Sequence, residues 1–352
     1  MKRFAKLLAA ASVAVAGVGA GTAMAEDTLV WAGSGGGLAE VWKEVFDDPF
    51  TAETGVKVDG LATSDRASAI KAMMVAGRVT WDAAELPPVD YAIASANGWL
   101  EPLDWDKMDP NNMVPEAGRL PDAGIAATYS TIIAVRTDKQ PDGQSMTGWA
   151  DFWNVEKFPG GRALQNSVIE NLEFALLADG VARDDLYKVL ATPEGQDRAF
   201  AKLDEIKPHV VAWWTAGAQP VQMLSDGEVV YTTAWNGRIT KLASDGTPAA
   251  IVWAGGALKP TYVVVIKGSK MVEAGKKYIS FMVTDPKRAA KFASILPYPG
   301  MTKGLYDHID PEVGKSMPTH PDNMSQQFVV NAKFWEQNVD ALRERWEEWL
   351  LE

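Results

Sequence analysis

Between residues 28 and 86, strand-like and helix-like segments alternate, and that alternation restricts the folds open to this chain more than any other feature. Residues 28–31 predict a short strand. Gly33-Ser34-Gly35-Gly36-Gly37 then turns into a helix on which Leu38, Val41, Trp42, Val45 and Phe46 recur at three- and four-residue spacing. Residues 56–58 predict a second strand, 67–76 a second helix and 81–86 a third strand. Such a βαβαβ order calls for a parallel sheet with helices on both faces, because each parallel return needs a crossover that packs back on the sheet. Further strands are expected at 131–135, 229–233, 250–253 and 262–266, and a last helix places Trp335, Val339, Leu342, Trp346 and Leu350 on one stripe. No internal repeat is present.

The N-terminus fixes the expected compartment. Met1-Lys2-Arg3 and Lys6 supply positive charge, an apolar run covers 7–20, and Ala23-Met24-Ala25 precedes Glu26. This is the layout of a secretory signal peptide occupying residues 1–25 and cleaved after Ala25. The run is too rich in Ala and Gly for a membrane span of about 20 strongly apolar residues. A soluble periplasmic monomer is the expected product. The chain has no cysteine, so neither a lipid anchor at a cysteine nor a disulfide framework is available, and the fold must rest on its core. A net charge of −12, more negative once the basic leader is removed, repels nucleic acid and anionic lipid. Small cations are not repelled. Fourteen tryptophans suit a core or a cage for apolar and cationic groups. A periplasmic carrier fits these bounds, and so does a secreted hydrolase.

A chain of this length reads as two α/β lobes. The strand at 131–135 follows a Gly/Pro-containing stretch and leads to a polar loop at 137–148, which makes it a candidate crossing. A return near 255–260 would leave both lobes discontinuous: 26–132 with 256–305, and 133–255 with 306–352.

Residues 38–58, with Asp48-Pro49-Phe50 and Glu53-Thr54-Gly55-Val56-Lys57-Val58, resemble the opening of bacterial extracellular solute-binding proteins, the soluble receptors of ABC importers. Gly227-Glu228-Val229 followed by Ala234-Trp235-Asn236-Gly237 resembles the spermidine/putrescine-binding branch. So do the strand and Gly-Gly turn at 251–256, and Ala289-Ala290-Lys291-Phe292 after Thr284-Asp285-Pro286. The resemblance implies a two-lobed periplasmic-binding-protein fold of type II, with a ligand clamped in the cleft between lobes joined by crossing strands. It also implies membrane permease subunits as partners, no cofactor and no chemical turnover. Putrescine or spermidine becomes the expected solute.

Open parallel sheets bind ligands beyond the carboxyl ends of their strands. Ser34 stands at one such end, where the glycines form either a tight turn or a close backbone approach to a ligand. A dinucleotide fingerprint is excluded, since Leu38 occupies the position of its third glycine. Glu85 ends another strand and is read as an acceptor for a ligand amine or as a solvated loop carboxylate. Tyr129 precedes the first crossing strand, as cleft lining or as packing. By the resemblance, Glu170 matches the second of two ligand carboxylates three residues apart, with Ser167 at the first position. Glu170 would equally serve as a negative group at a helix N-terminus. The pair Trp213-Trp214 beside Ala and Gly suits a loop wall, and Trp214 is a candidate contact. Trp235 matches a family tryptophan that lines the cleft, where an indole face attracts an ammonium.

Two departures oppose a polycation. Tyr262 stands where the resemblance places an acid. Arg238 follows Asn236-Gly237 and, if it reached the cleft, would take a carboxylate bidentately. A zwitterion with separated charges, such as a γ-amino acid, is therefore the alternative ligand. Catalysis finds little support: His209, His308 and His320 are isolated, G-x-S-x-G does not occur, and spacing singles out no glycosidase acid pair. A hydrolase working through acidic residues stays as the alternative of another class. Without cysteine or a His pair at helical spacing, no metal site is expected.

Overall fold

The computed structural model describes residues 28–352, so the leader and its cleavage site after Ala25 lie outside the described residues. The strands are β1 (Thr28–Gly33), β2 (Lys57–Ala62), β3 (Ala83–Leu86), β4 (Gly124–Arg136), β5 (Arg162–Gln165), β6 (Val210–Trp214), β7 (Tyr231–Trp235), β8 (Ala249–Val265) and β9 (Phe328–Val329). They form one sheet in the order β2-β1-β3-β8-β4-β7-β5-β6, with β9 added on β8. β1 runs parallel to β2 and β3, and β5 parallel to β6 and β7. Between these two parallel halves stand β4 and β8, antiparallel to each other; β8 also pairs antiparallel with β3, and β4 with β7. The fold is α/β, two-lobed, with crossing strands as the link.

The crossing differs from expectation in an instructive way. The separate strands expected at 250–253 and 262–266 are the ends of the single 17-residue strand β8. Its first half pairs with residues 131–136 of β4 and its second half with 124–130, so both strands run from one lobe into the other. The Gly-Gly pair inside it is an irregularity, not a turn: Gly255 has φ 73°, and the β4–β8 register shifts between Thr131 and Ile133. A side chain at 255 would meet Trp149 Cδ1 at 2.6 Å, and the Trp149 indole N–H donates to the Gly255 carbonyl at 2.8 Å. The glycine lets a tryptophan close on the backbone, as isolated strand glycines do.

Each lobe has its own aromatic core. Near the N-terminal strands, Trp31 stacks on Trp42 at 5.4 Å, with Phe46, Phe50, Tyr278 and Phe292 around them. The stripe of Trp42, Val45 and Phe46 faces inward as the periodicity requires, although the helix Gly37–Trp42 continues as a π-helical turn over Lys43–Asp47. The other lobe buries Phe152, Phe174, Leu203 and Tyr231 beneath the helix Ala332–Leu351, which contributes Trp335, Val339, Leu342 and Trp346. Each fully buried Phe is worth about 1.5–3 kcal/mol, so two such cores hold the fold without disulfides. Among the described residues no helix is long and apolar enough to cross a membrane.

Candidate ligand-binding site

A cavity of about 90 Å³ lies where the two halves of the sheet meet. The N-terminal lobe contributes Ser34 after β1, Leu38, Trp42, Arg66 and, at the end of β3, Glu85 and Pro87. The crossing strands add Ala127, Tyr129 and Thr261; the other lobe supplies Trp235 at the end of β7, and Tyr298 closes the wall from the loop after the helix Pro286–Ile295. A cavity of about 150 Å³ holds a benzene, so this one, being smaller, has room for no more than a small solute.

Its charged groups are Arg66 and Glu85, both buried. Arg66 is the first residue of the helix Arg66–Ala76, whose cap is Asp65 and whose first turn has no acidic residue. Its Nη1 donates to the Thr63 carbonyl at 2.5 Å, while Nη2 lies 3.7 Å from Glu85 Oε1 and makes no hydrogen bond. Arg66 Nε is buried without any partner. The Nε–Nη2 edge, the side of a guanidinium that holds a carboxylate by two parallel bonds, thus makes no hydrogen bond within the protein. Glu85 is 3% exposed, and its Oε1 accepts the Ser34 N–H at 2.6 Å. Trp235 Nε1 is also buried without an acceptor.

Aromatic rings form the rest of the wall. The Tyr129 ring meets Trp235 edge-on at 6.1 Å and Tyr298 at 6.0 Å. Burial raises the Tyr129 phenol well above its ordinary range, and the Glu170 and Glu85 carboxylates push it further. The Tyr298 phenol is pushed up to about 12 by burial, against the opposing charge of Arg238. Buried Asn236 ties these walls together: Oδ1 accepts the Ser130 N–H at 2.9 Å and Nδ2 donates to the Pro297 carbonyl at 3.0 Å. Gly237 is required here, since a Cβ would stand 2.7 Å from Tyr298 Cε1.

Of the eight residues singled out from sequence, Ser34, Glu85, Tyr129 and Trp235 line this one cavity. The backbone N–H of Ser34 is already taken by Glu85, so the glycine turn does not offer it to a ligand. The other four residues lie elsewhere. Tyr262 stacks on Tyr91 at 4.1 Å on the opposite face of β8, and its neighbour Thr261 faces the cavity: strand alternation moves the contact by one residue. Trp214 is no loop wall but the buried end of β6, donating to Thr233 Oγ1 at 3.0 Å and backing Trp235 edge-on at 5.9 Å. Arg238 is exposed, with its guanidinium 5.4 Å from the Trp235 ring centre, at the rim. Glu170 is buried outside the cavity, where Oε1 pairs with the ammonium of Lys259.

Sequence reasoning missed Arg66, Thr261, Tyr298 and Lys259. Two of these left a signal. An arginine in the first turn of a helix opposes the helix dipole, and a lysine within the apolar run of β8 needs a buried partner. Tyr298 left none, because its position depends on a loop anchored by Asn236.

Fold and site together define a receptor that encloses a small solute between two lobes. The chain belongs to the bacterial extracellular solute-binding proteins, whose family profile matches residues 46–321. A gamma-aminobutyric acid-binding protein of Pseudomonas aeruginosa is 37% identical over 316 residues, covering 90% of this chain and 88% of that protein. An ABC transporter substrate-binding protein from Bradyrhizobium japonicum has the same fold, with a TM-score of 0.83 and 32% identity over 92% of this chain and 99% of that one. The Atu4243-GABA receptor gives a TM-score of 0.83 at 31% identity, over 92% and 98% of the two chains. The expected family is therefore met, while these relatives do not carry the spermidine/putrescine branch.

Proposed function

We propose that the chain is the periplasmic receptor of an ABC importer for a small zwitterion with separated charges, of the γ-amino acid type. One observation supports this above the others. Two buried N–H donors of cavity-lining residues lack acceptors, Arg66 Nε and Trp235 Nε1, and Arg66 Nη2 has only the 3.7 Å ion pair with Glu85. A diamine or triamine brings only more donors, whereas a carboxylate brings acceptors. Buried donors left unpaired cost about 1–3 kcal/mol each, so the site favours an anionic group. The ammonium end of the same ligand is met by Glu85 and by the faces of Trp235 and Tyr129. The relatives named for γ-aminobutyrate agree with this choice. Putrescine or spermidine, the solutes expected from the family branch, fit it less well, because a buried guanidinium would face a polycation.

Proteins of this class deliver a solute to membrane permease subunits and release it unchanged, and we read this chain as a carrier rather than a hydrolase. Calorimetric titration with 4-aminobutyrate and other ω-amino acids, followed by mass spectrometry of the recovered solute, tests the reading. One-to-one binding with the solute intact is expected. Failure to bind any ω-amino acid, or conversion of the solute to product, would refute it.

A further inference from the structure

Behind Tyr129, outside the cavity, lies a second buried acid–base pair. Lys259 on β8 and Glu170 are 6% and 5% exposed. The Lys259 ammonium pairs with Glu170 Oε1, donates to Thr131 Oγ1 at 2.8 Å, and sits 4.6 Å from the centre of the Tyr129 ring. All three ammonium donors are thus occupied by a carboxylate, a hydroxyl and a ring face. Glu170 is not so complete, since its Oε2 is buried without a hydrogen-bond partner. The backbone is held for the purpose. Glu170 has φ 77° and ψ −41°, a left-handed conformation rare in a residue with a side chain, and its N–H donates to Glu173 Oε2 at 2.9 Å. Glu173 is fixed in turn by the Tyr187 hydroxyl at 2.8 Å and the Trp335 indole N–H at 2.7 Å.

A carboxylate placed one ring away from a ligand cavity would attract any cation entering it. We propose that Lys259 is a specificity-determining residue: its ammonium is an internal counter-ion that occupies Glu170 and removes the attraction that would otherwise draw diamines into the cavity. The cationic end of a ligand is then left to Glu85 and the ring faces, and the uncompensated demand in the site is for an acceptor, at Arg66 Nε and Trp235 Nε1. This rests on the zwitterion reading and deepens it, by naming what excludes the doubly cationic analogue. Rejection of that kind, by cancelling an attraction, is how closely related ligands are separated.

The test uses 4-aminobutyrate and 1,4-diaminobutane as probes, with the ratio of their affinities measured by calorimetry. Lys259→Met leaves Glu170 without its counter-ion and is expected to shift the ratio at least tenfold toward the diamine. Glu170→Gln leaves the ammonium of Lys259 unopposed and is expected to shift it at least threefold the other way. The double variant should return to within threefold of the wild-type ratio. If Lys259→Met fails to fold, Glu170→Gln and the double variant still decide, because the double variant keeps no buried charge. A pair that merely supports the fold would lower stability and leave the ratio unmoved, and that outcome overturns the proposal. If wild type binds the amino acid but no variant moves the ratio, the selector alone falls. If wild type binds neither probe, the reading of the cavity falls and takes the selector with it.

Discussion

Arg66–Glu85 and Lys259–Glu170 are both buried pairs of opposite charge, yet they are built differently. The first is loose: 3.7 Å apart, with the open edge of the guanidinium and the carboxylate both at the cavity. The second is closed, its ammonium fully engaged and neither member lining the cavity. A closed pair neutralises itself and is indifferent to a ligand. An open pair at a cavity leaves hydrogen-bonding capacity that a ligand can complete, whereas the unpartnered Oε2 of Glu170 lies off the cavity, so incomplete pairing marks a site only where a cavity meets it.

The largest expected effect breaks the closed pair. Lys259→Met should lower stability by about 3–5 kcal/mol, since it strands a buried carboxylate, and adding Glu170→Gln should restore most of the loss. Urea denaturation of the singles and the double checks it; equal losses in Lys259→Met and the double variant would show that the two charges are not coupled. Breaking the open pair should instead be felt in binding. Arg66→Met is expected to weaken 4-aminobutyrate by about 2–4 kcal/mol, roughly thirty- to a thousandfold, with a smaller loss of stability than Lys259→Met. An unchanged affinity in calorimetry would remove Arg66 from the site.

How far the sequence revealed these two pairs depends on the range of the interactions that hold them. The βαβαβ order, the stripe of Trp42, Val45 and Phe46, and the docking stripe of Trp335, Val339, Leu342 and Trp346 all express local periodicity, and all appear in the structure as read. The strand ends holding Ser34, Glu85 and Trp235 were legible for the same reason. Register was not. Whether Thr261 or Tyr262 faces the cavity depends on how β8 pairs with β3 and β4, and β8 itself read as two strands because Gly255-Gly256 looks like a turn in isolation. Glu170 is the clearest case. Its charge was visible, but its partner lies 89 positions away on another element, so its pairing with Lys259 could not be read from the sequence.

A smaller effect is expected at Trp235. Trp235→Phe keeps a ring over the ligand but removes the unpaired Nε1 donor, which should cost about 1 kcal/mol of affinity, roughly fivefold. Equal affinity would mean that this donor stays unpaired in the complex.

The gentlest probe is pH, acting on the acid behind the closed pair. Burial pushes the Glu173 carboxyl up to about 7 from an ordinary 4.5, against hydrogen bonds from Trp335 and Tyr187. Because the folded value is the higher one, this contribution to stability is full below about 4.5 and is lost as pH rises through about 7. Asp47, pushed up to about 6 from 3.8, acts in the same direction at lower pH. Unfolding free energy should therefore fall by on the order of 1 kcal/mol between pH 6 and pH 8 from Glu173 alone. Glu173→Gln should flatten that slope, whereas a wild-type slope that Glu173→Gln leaves unchanged would mean that Glu173 is charged in the folded state throughout this range.

A crystal structure of the complex with 4-aminobutyrate tests the central claim most directly. The expected result is a ligand in the cavity with its carboxylate paired to the Nε and Nη2 of Arg66 and its ammonium between Glu85 and the rings of Trp235 and Tyr129, while Lys259 stays on Glu170. A ligand carboxylate held by Arg238 at the rim, or a ligand ammonium on Glu170 with Lys259 displaced, would contradict it.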